Sequence, residues 1–490
     1  MFQSIVEAVF HYAKVQPNRL CLADDTGAVT WREYADRAGR YAAVLRKEGI
    51  TADGCVVAEA CQTIDFLALQ LALQLLGASF VPLEHHASSE RIVSFIERTE
   101  AGMAVTCRKL SGSAKSLTWN ELTERGKDIA SLPAEHFPEG NEVCEILFST
   151  GTTGKEKGVV LTHANDIAVA ENVIHAVEME SDNVELILSP MNHSHGLRRY
   201  YANMVNGSMV VLLGSMMNMR RLMTNIEEYG VNAMDMVPSA LSVLLKLSGG
   251  RLADYRHQLR YIQFGAAPMA EADRVRICEL LPETRLYNFY GSTESGCVSI
   301  YNFNRPDVKQ HCIGRPSCNA EIFMVDEERR PVVSSREQPG LLACRGGMNM
   351  IGYWRDEEET HKALADGVVY SNDIAYYDAE GDIILLGRRG DVINVGGVKV
   401  SPEEIEDVVR ELSGIEDCGV VPVPDSLKGS VPKLYVQMAR GETFDPAAIM
   451  ASLAGRLEPA KRPAEIVRIE KIPRSFNGKL LRRELTTLKE

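Results

Sequence analysis

The sequence has no Cys-x-x-Cys pair, no internal repeat, no heptad run and no low-complexity tract. Zinc ribbons, solenoids and coiled coils are thereby excluded. It also lacks H-E-x-x-H, G-x-S-x-G and G-x-G-x-x-G, the local signatures of zinc peptidases, α/β-hydrolases and dinucleotide-binding oxidoreductases. The most apolar segment, Phe66 to Gly77, is too short for a membrane span and is interrupted by Gln70 and Gln74, so a buried helix is expected there. Basic residues are the minority, 53 Lys and Arg against 67 Asp and Glu, for a net charge of −14. So acidic a chain is a poor general binder of nucleic acid or anionic membrane, and any phosphate must be held by local groups. The cysteines number 11 at scattered spacings. They argue for reduced thiols and a cytoplasmic setting, against a disulfide framework. The first residues, MFQSIVEAVFHYAKVQ, carry Glu7 inside their apolar stretch and read as an amphipathic helix, not a signal peptide.

What is present is an ordinary globular composition of 490 residues, 45% hydrophobic and 24% charged. That suffices for about three folding units and for a large core without disulfides or structural metals. Short β-rich runs (ELILSP, SMVVLLG, NAMDMV, LRYIQFG) alternate with helical stretches, one ending at Asn206 and one near Ser239–Leu247. That rhythm predicts an α/β fold with a largely parallel sheet. From about Val308 to Asp382 the strands become short and turn-rich, and a small β-barrel or distorted sheet is expected. The sharpest boundary is Gly387-Arg388-Arg389-Gly390-Asp391. Beyond it, Ser401-Pro402-Glu403-Glu404 has the form of a helix start with proline in the first turn, and Gly414 that of a stop. The expected architecture is a large α/β N-terminal domain over 1–389, made of two α/β subdomains and a β-barrel-like one. A mobile α+β domain over 390–490 follows, hinged near Gly390.

The most informative segment is Ser149-Thr150-Gly151-Thr152-Thr153-Gly154, directly after the strand-like EILF and followed by Lys155 and Lys157. Glycines let successive backbone N–H groups turn towards one anion, hydroxyls add donors and lysine adds charge. This is chemistry suited to a polyphosphate, although G-x-x-x-x-G-K-[ST] is not satisfied. The loop resembles the signature of the adenylate-forming superfamily, which comprises acyl-CoA synthetases, adenylation domains of peptide synthetases, and luciferases. Further motifs of that family follow in order: Gly265-Ala266-Ala267-Pro268, Tyr290-Gly291-Ser292-Thr293-Glu294, Asp373, Gly387-Arg388, Gly397 and Asn477-Gly478-Lys479.

The resemblance implies an enzyme that joins a small carboxylic acid to AMP from ATP and Mg²⁺, releasing pyrophosphate. It then passes the acyl group to the thiol of coenzyme A, or to the phosphopantetheine of a separate carrier protein. Only 11 residues follow Lys479, so no carrier domain is expected on that end. On the same resemblance, Ser149 to Gly154 and Lys157 cradle the phosphates, and Gly265, Ala266 and Ala267 let adenine and acyl chain approach the backbone. Asn288, Phe289, Tyr290 and Gly291 complete the nucleotide site, with Tyr290 against adenine. Thr293 contacts the α-phosphate, while Glu294 and Thr150 hold the metal. Asp373 accepts from the ribose hydroxyls, Arg388 contacts ribose or phosphate, and Lys479 bridges acid and α-phosphate. The family usually has proline where this chain has Glu156. Gly396, Gly397 and Lys399 resemble the loop lining the pantetheine tunnel. In Ser189-Pro-Met-Asn-His-Ser-His-Gly-Leu-Arg-Arg199, His193 resembles the residue that gates the carboxylate pocket. His195 and the H-x-H-G-L pattern resemble malonyl-CoA synthetases, where Arg198 or Arg199 is placed to pair with a second carboxylate; the competing reading has both arginines facing solvent. Met236, Val237, Phe264 and Val298 are either pocket walls or core.

Overall fold

A computed structural model of the chain describes residues 2–111, 114–134, 136–150, 156–214, 218–267, 269–474 and 480–487, with Thr150 described in its backbone alone. Gly151, Thr152, Thr153, Gly154, Pro268, Asn477, Gly478 and Lys479, all assigned above, lie outside the described residues.

Two sheets share one helical layer. The first, 7-stranded, runs in the order Gly352–Tyr353, Glu156–Thr162, Val143–Thr150, Ser79–Leu83, Cys55–Glu59, Met103–Thr106, Ser116–Thr118. Its pairings from Val143–Thr150 to Ser116–Thr118 are parallel and the two nearer Gly352 are antiparallel. The second, 14-stranded, contains a parallel block of Arg285–Ser292, Tyr261–Gly265, Ala233–Met236, Val184–Ile187, Met209–Leu212 and Leu20–Asp24. Strands such as Cys55–Glu59, Met103–Thr106 and Tyr261–Gly265 are buried along their whole length, as parallel strands covered by helices on both faces must be.

The helices Ile5–Val15, Trp31–Lys47, Ile64–Leu76, His163–Ala176 and Ser194–Asn206 fill the space between the sheets, and their apolar residues form one continuous core with both. The segment around Phe66 is the buried helix expected, ending at Gly77 in the left-handed region that glycine tolerates. Inside the core each of its two glutamines is tied through one end of its amide: Gln70 donates to Glu145 at 3.2 Å, and Gln74 accepts from the backbone N–H of Val6 at 3.0 Å. The first helix buries Ile5, Val6, Ala8 and Val9 and is capped by Ser4. Among the described residues no helix is long and apolar enough to cross a membrane. All 11 cysteines are free.

Of the two forms expected after Val308, a small β-barrel or a distorted sheet, the described residues form the sheet. Strand Gly296–Asn302 pairs on one side with Arg285–Ser292 and on the other with Cys312–Pro316. The α/β sheet therefore continues, through Ile383–Arg388, Val368–Tyr377 and Gly340–Gly346, to Ala320–Val325. Its edge is extended, not rolled up, and no pairing among the described residues closes it.

The third sheet joins Val398–Val400, Ile393–Val395, Gly429–Met438, Ile415–Asp425 and Glu465–Arg468 around a separate apolar core. Helix Pro402–Arg410 starts at Ser401 with proline in its first turn. Ser401 does not cap through its side chain; its hydroxyl bonds Glu403 at 3.1 Å, and Glu403 is held in turn by Arg482 at 2.7 Å. Between the large and small parts, Gly390 has φ +90° and open space where a Cβ would stand. A left-handed turn there is open to glycine at no steric cost.

Candidate active site

Parallel pairing places Gly265 beside Phe289 and Phe264 beside Asn288, so the ends of Tyr261–Gly265 and Arg285–Ser292 lie side by side. The chain turns sharply at both. A Cβ on Gly265 would meet the His195 ring at 2.6 Å, and one on Gly291 would overlap the Gly296 carbonyl oxygen at 1.9 Å. Ala266 holds φ +69°, a strained conformation for a residue with a side chain.

Around this edge the sequence motifs converge. The Tyr290 hydroxyl donates to Asp373 Oδ2. Arg388 Nε lies 3.4 Å from Asp373 Oδ1, because the two residues sit opposite each other across the antiparallel strands Val368–Tyr377 and Ile383–Arg388. Burial, reinforced by the Asp373 charge, pushes the Tyr290 hydroxyl well above its ordinary pKa, so it stays a donor. On the other side, Glu294 Oε1 accepts from the Tyr353 hydroxyl at 2.9 Å and lies 3.5 Å from Ser149 Oγ. That set is all oxygen and one carboxylate, which fits Mg²⁺, a hard ion usually bound by one or two carboxylates together with phosphates. Thr293 Oγ1 is 3.3 Å from Ser194 Oγ.

Lys157 is brought to the same rim. It is paired with Glu359, and its ammonium stands 4.9 Å from the centre of the Tyr353 ring. Lys157 and Lys362 together hold the Glu359 carboxyl down at about 2. In Lys157 the rim has a cation already positioned by a carboxylate.

The segment before helix Ser194–Asn206 carries both histidines. Gln62 clamps it from the first sheet, donating to the Ser189 carbonyl at 3.2 Å and accepting from Met191 N–H at 2.9 Å. His193 is the residue at the helix start, and burial lowers its pKa, partly offset by nearby Glu84. His195 Nε2 lies 2.8 Å from Asp235 Oδ1, a carboxylate with no exposure at all. The two form a close polar contact without hydrogen-bond geometry.

The two arginines are buried, against the solvent-facing reading: Arg198 is 6% exposed and Arg199 0%. Arg198 Nη2 donates to the Ser292 and Thr293 carbonyls at 2.8 and 3.2 Å, while Arg199 lies over the Phe289 ring at 4.3 Å. Consecutive helix residues point about 100° apart, and here each braces a different part of the Phe289–Glu294 segment. Beneath Arg198 lie Glu145 and Asp166; burial pushes the Glu145 carboxyl up to about 7, and Asp166 is also raised. Met236 and Phe264 are fully buried in the core on the outer face of the large sheet, and Val298 is buried in the inter-sheet core. Gly396, Gly397 and Lys399 form an exposed hairpin, with Gly397 N–H bonded to Asn394 Oδ1 at 3.0 Å.

The sequence reasoning did not find Asp235, Tyr353, Glu359 or Gln62. For Asp235 a signal existed: a lone carboxylate inside the apolar strand run NAMDMV. The others meet their partners across 59 to 202 residues, and no local pattern marks them.

The Tyr–Asp–Arg arrangement lies on strands inside the large sheet, close to the carboxylate of Glu294, and the class of protein is that of an AMP-binding enzyme. The AMP-binding enzyme family model matches residues 9–354, and that of the AMP-binding enzyme C-terminal domain matches 404–479; the chain belongs to this family. It is 28% identical over 447 residues to 4-coumarate--CoA ligase-like 9 of Arabidopsis thaliana, covering 87% of this chain and 78% of that protein. It is 26% identical to a feruloyl-CoA synthase of Amycolatopsis sp, with 96% of each covered. Among solved structures, ATP-bound MatB from Rhodopseudomonas palustris superposes with a TM-score of 0.87 at 23% identity, covering 99% and 98% of the two chains.

Proposed function

We propose that this chain is an AMP-forming acid–thiol ligase acting on a small carboxylic acid, ATP and coenzyme A. The observation that carries the reading is the convergence of Tyr290, Asp373, Arg388, Glu294 and Ser149 on one rim, together with family membership over most of the chain. In the first half-reaction a carboxylate oxygen attacks the α-phosphorus of ATP and pyrophosphate leaves. In the second a thiol attacks the acyl carbon and AMP leaves.

Each residue has a task that follows from its surroundings. Asp373, already accepting from Tyr290 and facing Arg388, is a fixed bidentate acceptor for two vicinal ribose hydroxyls. Ser149 to Gly154 and Lys157 take the phosphates, with Lys157 leaving Glu359 for a stronger anion. Glu294, with Thr150, would hold Mg²⁺, which screens charge between the phosphate oxygens when bound. Thr293 meets the α-phosphate, and Arg198 is a positioning residue that holds its backbone. His193 and His195 face the acid, with Asp235 beside His195. Lys479 supplies the cation that links carboxylate and α-phosphate. Gly396, Gly397 and Lys399 line the thiol's approach. The boundary lies at Gly390, between domains 1–389 and 390–490, and rotation about it exchanges the two half-reactions. The free cysteines support a cytoplasmic setting.

The test is acid-dependent ATP–pyrophosphate exchange over fatty, aromatic and dicarboxylic acids, followed by thioester formation with CoA as the only thiol. Exchange followed by a CoA thioester is expected. Exchange without a thioester would move the acceptor to a carrier protein, and no exchange with any acid would overturn the reading.

A further inference from the structure

Three parallel strands of the first sheet, Cys55–Glu59, Ser79–Leu83 and Met103–Thr106, end side by side. The segments leaving them bring together Cys61, His85 and Cys107, none of which has a task in the ligase reaction above. Cys61 Sγ is 3.6 Å from Cys107 Sγ, and Cys107 Sγ is 3.9 Å from His85 Nδ1. The three donor atoms all lie within 4.8 Å of one another. A tetrahedral zinc ion with Zn–S of about 2.3 Å and Zn–N of about 2.05 Å has an S···S edge of about 3.8 Å and an S···N edge of about 3.6 Å. The Cys61–Cys107 and Cys107–His85 separations match those edges to a few tenths of an ångström, and the remaining Cys61–His85 pair lies within 4.8 Å, close enough for the three donors to share one ion.

The loops are held in this arrangement from below. Glu59 is fully buried, and its two carboxylate oxygens accept from the backbone N–H groups of His86 at 3.0 Å and Cys107 at 2.8 Å. One side chain thus pins both the histidine segment and the second cysteine. His86, whose ring is tilted 38° against that of His85 at 3.7 Å between centroids, is a further donor beside the cluster. His85, His86 and Cys107 are exposed and Cys61 is half-buried, so an ion has access. Two thiols and an imidazole are soft and borderline donors, which select zinc-class ions over Mg²⁺ or Ca²⁺.

We propose that Cys61, His85 and Cys107 bind one divalent cation of the zinc class, at a site separate from the nucleotide, acid and thiol sites. Each thiol releases its proton to solvent as its metal–sulfur bond forms, with no change of oxidation state. Cys61 is followed directly by Gln62, which clamps the segment leading to His193, so the ion would sit next to the frame of the acid pocket.

The experiment uses the full chain, reduced and stripped with a chelator, then titrated with Co²⁺ alone. One equivalent is expected to give the thiolate-to-cobalt charge-transfer band and the strong ligand-field absorption of a tetrahedral site, both displaced by Zn²⁺. Cys107→Ser and His85→Ala are each expected to weaken binding at least about tenfold, with circular dichroism unchanged. Cys318→Ser, at an exposed thiol bonded to Asn172, leaves binding as it was. Cys61→Ser is the second ligand variant, should Cys107→Ser fail to fold. A reduced protein that gives no thiolate–cobalt band overturns the site, whether or not air oxidation joins Cys61 to Cys107. So does a band that survives both cysteine substitutions.

Discussion

The nucleotide rim and the hairpin at Gly396–Gly397 carry family motifs of similar length, yet they are built in opposite ways. At the rim, Tyr290 meets Asp373 across 83 residues and Ser149 approaches Glu294 across 145. Half-buried side chains there are interlocked before any ligand arrives. The hairpin is tied within its own small sheet: strands Ile393–Val395 and Val398–Val400 pair with each other, Asn394 holds the turn, Gly396 N–H donates to the Lys428 carbonyl at 2.8 Å, and Val398 is half-exposed at its tip. A site that must hold a triphosphate on an acidic protein needs preorganised partners. Under the proposed function the hairpin serves one half-reaction only, and ties made within its own sheet let its domain carry it as a unit.

Substitutions can break that contrast. The largest effect is expected for Lys479→Ala: acid-dependent pyrophosphate exchange falls by about 10²–10³-fold or more, while the melting temperature and thioester formation from supplied acyl-adenylate are retained. Asp373→Ala strikes the interlocked rim and leaves Tyr290 and Arg388 without their acceptor. The KM for ATP is expected to rise by about tenfold or more, and stability to fall by about 1–3 kcal/mol, seen in kinetics and denaturant melts. Lys399→Ala, on the hairpin, is expected to raise the KM for CoA several-fold, leaving pyrophosphate exchange and the melt unchanged. An equal loss of exchange in that variant would show the hairpin to be part of the rim after all.

A fourth measurement sharpens the comparison through pH. Burial, with nearby Asp235, pushes the Glu185 carboxyl from 4.5 up to about 7 in spite of Arg199. The folded chain therefore keeps a proton that the unfolded chain has released, and stability contributed by this group falls as pH rises from about 4.5 to about 7. In Glu185→Gln that decline is expected to flatten by roughly 3 kcal/mol, measured by urea unfolding at several pH values. An unchanged slope would place the proton elsewhere in the large domain.

The legible part was whatever is written locally. The helix ending at Asn206 and the strands around ELI, MVVL and YIQF all appear where the periodicity puts them. After Val308 the sequence left a barrel and a distorted sheet both open, because short turn-rich strands read alike whether they close a barrel or lengthen an existing edge. Arg198 and Arg199 were weighed as surface residues because charge ordinarily stays in water. Their burial depends on partners far away in the chain: Glu145 and Asp166 for one, the Phe289 ring and Glu185 for the other.

By itself, the sequence determined which groups are available: a Gly/Ser/Thr loop, a Tyr-Gly-Ser-Thr-Glu segment, an aspartate and an arginine after strands, and a late lysine, in an order shared with a family of ligases. Local spacing can specify a turn or a helix face, because those interactions span only a few residues. The tertiary structure alone decided that Asp235 stands beside His195, that Glu359 holds Lys157, and that Glu59 ties the backbones of His86 and Cys107 together at one sheet end. Such pairs form only when sheet order and register bring distant strands together, and their energies come from burial that no short stretch of chain possesses.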